Sequence, residues 1–104
     1  MDEKVKIENT DIWFKVVDFL QQNWGVIEVT PPGFTLYFFS DGSGVFDQIE
    51  YQSVAEAERA LVRNGFSRYR DDLKAQKFVA EPLPPFKRKK HPNGPIYSSG
   101  RFWK

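Results

Sequence analysis

Lys87-Arg88-Lys89-Lys90-His91 sets four cations and the chain's one imidazole side by side. Phe86, Tyr97, Phe102 and Trp103 flank the run, and Arg101 adds a further cation. Cations release counterions from phosphates, and neighbouring rings stack on bases for about 1–3 kcal/mol each, so this mixture suits a single-stranded nucleic acid. Lys87, Arg88, Lys89, Lys90 and Arg101 are therefore candidate nucleic-acid contacts, and Arg59, Arg63, Arg68 and Arg70 extend the same chemistry. The competing reading is a solvated charged loop. An isoelectric point near 7.9 favours the loop, because dedicated nucleic-acid domains are far more basic.

Other patterns carry less. Pro82-Leu83-Pro84-Pro85-Phe86-Lys87 fits a PxxP-plus-basic ligand, which pre-forms a polyproline helix, but a packed connector needs the same residues. Asp41-Gly42-Ser43-Gly44 could turn backbone N–H groups toward an anion, yet it lacks the Lys-Ser/Thr ending of a phosphate loop and joins two strands, so it reads as a hairpin turn. His91 with Ser98 or Ser99 could be drawn as a hydrolase triad, but no acid is in view to orient the imidazole. Asp71-Asp72 are sequence neighbours that diverge on a helix. With one histidine and scattered carboxylates, no metal site, cofactor or catalytic residue is expected.

The elements that must position these residues belong to one domain, since 104 residues leave no room for a second core. Ten Phe, three Trp and four Tyr supply apolar area that disordered chains lack. The absence of cysteine excludes a disulfide scaffold and any thiolate chemistry. No apolar leader and no membrane-length apolar run are present, so a cytoplasmic protein without membrane contact is expected. The net charge of +1 conceals a division: residues 1–58 hold eleven acidic and three basic side chains, a balance of −8, and residues 59–104 hold three and twelve, a balance of +9. Such a split points to a charged partner or to two halves folded against each other.

Thr10 as N-cap, Gly25 as stop, and Trp13, Val16, Val17, Leu20 and Trp24 at three- and four-residue spacing predict a first helix. Strands follow at Val26–Thr30, Phe34–Phe39 and Val45–Tyr51, forming a meander. In Phe34–Phe39 both faces are apolar, Phe34, Leu36 and Phe38 on one side and Thr35, Tyr37 and Phe39 on the other. The second helix opens with a Ser53/Glu56 capping box, turns Val54, Ala57, Leu61 and Val62 inward, and stops at Asn64-Gly65 with Phe66 packed on the cap. Beyond it a short extended piece at 67–70, a helical turn at 71–76 and a strand at 77–81 are expected. Regular structure is not expected from Pro82 onward, because Pro82, Pro84, Pro85, Pro92 and Pro95 interrupt it.

The expected fold is therefore α+β: a helix, a three- to four-stranded antiparallel sheet, and a helix on the same sheet face. Residues 1–81 make the domain, and residues 82–104 an extended basic and aromatic arm packed on the domain or on a partner. The expected function is that of a small non-enzymatic binding or adaptor protein. Tyr37, Phe39, Phe86, Tyr97, Phe102 and Trp103 are its candidate protein-contact residues. The partner is another protein or a second copy, a homodimer being preferred because the second face of Phe34–Phe39 wants cover.

Overall fold

The computed structural model describes residues 4–18 and 21–89. Among them, seven strands form one mixed sheet: β1 (Lys4–Val5), β2 (Trp13–Asp18), β3 (Gln21–Thr30), β4 (Gly33–Ser40), β5 (Gly44–Tyr51), β6 (Ser67–Arg68) and β7 (Phe86–Arg88). Their order across the sheet is β1-β7-β5-β4-β3-β2-β6. Neighbours are antiparallel except β5 and β7, which run parallel. Helix α1 (Val54–Arg63) packs on one face; a 3-10 turn (Tyr69–Asp71) and a six-residue helix, α2 (Leu73–Phe78), follow β6. No helix among the described residues is long and apolar enough to cross a membrane.

This corrects the expected three- to four-stranded antiparallel sheet with two packed helices. The predicted helix between Thr10 and Gly25 is the hairpin of β2 and β3. Trp13 and Phe14 are both buried, on opposite sides of the sheet, as successive strand residues are. The expected stripe is no single buried face: Trp13 and Trp24 are buried on opposite sides of the sheet, Val16 is 61% exposed, and Leu20 lies outside the described residues. Gly25 is not a helix stop but a mid-strand residue under α1: a Cβ there would stand 3.3 Å from both Leu36 Cδ1 and Leu61 Cδ2. The glycine lets α1 approach the sheet closely.

The meander of β3, β4 and β5 forms as expected, with a bulge between Phe38 and Phe39. Its β4–β5 turn has Ser43 at φ 64°, with the Ser43 amide donating to Ser40 O at 2.9 Å. Both faces of β4 are used. Leu36 and Phe38 join Trp13, Ile27, Ala57, Leu61 and Phe66 beneath α1. Phe39 faces the other way, into a core with Val5, Ile12, Phe14, Trp24, Val26, Val45 and Phe86.

Helix α1 carries the caps its sequence announces. Ser53 Oγ accepts from the Glu56 amide at 3.2 Å. Gly65 takes φ 89°, and the Phe66 amide donates to Leu61 O at 2.9 Å and the Gly65 amide to Val62 O at 3.1 Å, the paired bonds of a glycine-terminated helix. Its inner face is Ala57, Ala60 and Leu61; Val54 and Val62, expected inward, are exposed.

Two further expectations change. Lys77 and Phe78 finish α2, which Asp72 caps by accepting from the Ala75 amide at 2.9 Å, so no strand forms at 77–81. Beyond Pro85, Phe86–Arg88 is a strand inserted between β1 and β5, with the Lys87 amide donating to Ser43 O and the Lys89 amide to Val45 O. Pro82, Pro84 and Pro85 all precede it, so they cost its ladder no donor.

Candidate functional site

β6 pairs with β2 at Trp13 and Arg68, a register that lays the Arg68 guanidinium over the Trp13 indole, 4.7 Å from the ring centroid. Glu58 on α1 forms an ion pair with this guanidinium, and Arg68 Nε stands 3.3 Å from Asp11 Oδ1, out of line for a hydrogen bond. Arg70 reaches the same Asp11 oxygen at 3.5 Å. A cation seated on a ring and held by two carboxylates is fixed in place. It ties α1, β6 and the segment before β2 into one surface.

Two open hollows, about 600 and 570 Å³, share Trp13, Val62 and Arg68. Phe66, Ser67, Asp71, Asp72 and Leu73 complete the first, and Ala55, Glu58, Arg59 and Arg63 the second. Val62 and Leu73 are 63% and 72% exposed at the rim. The walls hold no histidine, lysine or cysteine, and Glu58 is committed to Arg68. The volume suits a ligand, but the walls hold no acid–base pair comparable to a catalytic site and offer apolar anchors between opposite charges. Among the described residues no three His, Cys, Asp or Glu side chains come together as metal ligands.

The strap after β6 is held from the opposite side of the sheet. Tyr69 packs edge-on against Trp24 at 5.2 Å and Phe14 at 5.9 Å, and its hydroxyl donates to the Val79 carbonyl. Burial, reinforced by the negative charge of Glu81, holds the Tyr69 hydroxyl above the usual phenol range. Burial also raises Tyr51, whose ionisation Arg63 favours and Glu56 opposes.

The sequence-derived candidates are dispersed. Phe39 and Phe86 are 0% and 7% exposed, their rings 4.9 Å apart and edge-to-face within the core. Tyr37 is half-buried on the same face, between Val26 and Gln48 in register. Lys87 and Arg88 are half-buried and Lys89 is exposed; Arg88 donates to the Gln48 side chain, and Lys87 lies directly opposite Lys4. Tyr97, Phe102, Trp103, Lys90 and Arg101, with His91, Ser98 and Ser99, lie outside the described residues. Arg68 and Arg70 are engaged with carboxylates, while Arg59 and Arg63 are exposed on α1.

Sequence reasoning passed over Trp13, Val62 and Leu73 as a surface. One signal for Val62 was available: it lies about 100° round the helix from Leu61, so a face centred on Ala57, Ala60 and Leu61 turns it outward. Comparison with known protein families, curated proteins and solved structures finds no match to this chain.

Proposed function

We propose that this chain is a small binding or adaptor protein that acts by contact with another protein and performs no chemistry itself. The observation that carries this reading is the exposure of Val62 and Leu73 around a floor of Trp13 and a fixed Arg68. Aromatic and arginine side chains ringed by apolar contacts are the usual anchors of protein interfaces. A cysteine-free chain suits a cytoplasmic setting. The test is affinity capture from the native source with wild type and Leu73→Asp in parallel, both shown folded by circular dichroism. A partner retained by wild type and lost by the variant is expected; equal retention contradicts the reading.

One observation favours the second reading, a nucleic-acid accessory protein. Lys4 and Lys87 stand directly opposite across β1 and β7, an arrangement of like charges that an anion would relieve. Lys89 alternates onto the side of the sheet that Lys87 occupies. Affinity for a single-stranded oligonucleotide that falls steeply with salt and with Lys4→Glu plus Lys87→Glu is its expected signature. Phe86 supplies no stacking ring, since it lies in the core.

A further inference from the structure

The surface around Val62 is bipolar. At one end Arg59 and Arg63, one turn apart on α1, share an exposed flank with Val62. At the other, Asp71 is exposed and Asp72 half-buried beside Leu73. Among the described residues, Arg59, Arg63 and Asp71 form no ion pair. The face thus reads positive, apolar, negative, with the neutralised Arg68 cluster near its centre. Rotation by a half turn places the positive end of such a face on the negative end of an identical one. Such complementarity is what a two-fold interface requires, because each patch must fit itself.

We propose that the occupant of this face is a second copy of the chain, docked about a two-fold axis near Val62. Arg59 and Arg63 of each protomer face Asp71 and Leu73 of its partner, and the two Val62 side chains meet in the middle. The inference rests on the protein-contact reading above and names its partner. It does not use the sheet face around Phe39, which the chain's own residues close.

The experiment is sedimentation velocity over a concentration series with wild type, Arg59→Asp/Arg63→Asp, Asp71→Arg, and an equimolar mixture of the two variants. Asp72 is left intact because it caps α2. Wild type is expected to reach the mass of two chains. Each variant alone sets like charges together twice and should weaken association roughly tenfold or more. The mixture pairs new aspartates with the new arginine and old arginines with the old aspartate, so a heterodimer should form where neither variant dimerises. Val62→Asp, with thermal unfolding as a folding control, should be monomeric.

Wild type that stays monomeric throughout overturns the proposal, as do variants that dimerise like wild type or a mixture that fails to associate. If wild type is monomeric yet loses a captured partner on Leu73→Asp, the second copy is refuted and the protein-contact reading survives. If neither association nor capture responds to Val62 and Leu73, both fail.

Discussion

On the sheet face around Phe39, Val5 and Phe86 extend the apolar row from neighbouring strands and Ile7, Tyr69, Ala75 and Val79 pack against it, leaving Trp24, Val26 and Phe39 fully buried. Beside α1, Val62 and Leu73 keep most of their surface in water although Trp13 and Phe66 lie close by. Both regions are aromatic-floored and both adjoin charged side chains. The difference is what the chain turns toward each: the strap after β6 packs Tyr69, Ala75 and Val79 on the first and leaves Val62 and Leu73 of the second uncovered. Apolar surface that a chain can cover itself becomes core, and what it leaves open is available to a partner.

That contrast can be broken at either region. The largest effect is expected in the closed one: Phe39→Ala should cost about 3–5 kcal/mol in urea unfolding, through lost transfer energy and the cavity left among Trp24, Phe86 and Val45. A cost under about 1 kcal/mol would mean that this core is loosely packed. Next comes the support of the open region. Ser53→Ala removes the cap of α1, the helix that carries Arg59, Val62 and Arg63, and should cost about 1 kcal/mol.

A smaller effect follows from the tyrosines. The folded state holds the Tyr69 and Tyr51 hydroxyls protonated above their ordinary value of 10.0. Above that pH the unfolded chain gives up phenolic protons that the folded chain retains, so stability present below pH 10 is lost as pH rises through the folded values. Urea midpoints from about pH 9 to pH 11 should fall, and Tyr69→Phe should fall less steeply. The smallest effect belongs to the open region: in dilute, monomeric protein Leu73→Ser should move stability by no more than about 0.5 kcal/mol, as an exposed substitution does.

How much of this was legible follows the location of burial. Helix α1 was readable because its cap residues and its small inner side chains act locally, within one turn of Ser53 and of Gly65. The meander was readable because Phe34–Phe39 alternates on two buried faces. β2 was not. Trp13 and Phe14 serve opposite cores, so the strand shows no single alternating face, and Trp13, Val16 and Val17 fall on helical spacing by coincidence. Asp11, next to the expected cap Thr10, is an ion-pair partner of Arg68 and Arg70. β7 was hidden because its pairing with β1 and β5 joins residues more than forty positions apart, which no local pattern announces. The hollow needed α1, β6 and α2 set beside one another. Of its parts, only the outward phase of Val62 was written in the sequence.

The most direct test of the contrast is urea unfolding of Phe86→Ala and Leu73→Asp side by side. At a dilution where every chain is monomeric, a loss of about 3 kcal/mol or more is expected for Phe86→Ala, which reopens the closed face, and no more than about 0.5 kcal/mol for Leu73→Asp. The reverse ranking, with Leu73→Asp the more damaging, would contradict the contrast, placing Leu73 in the fold and Phe86 outside it.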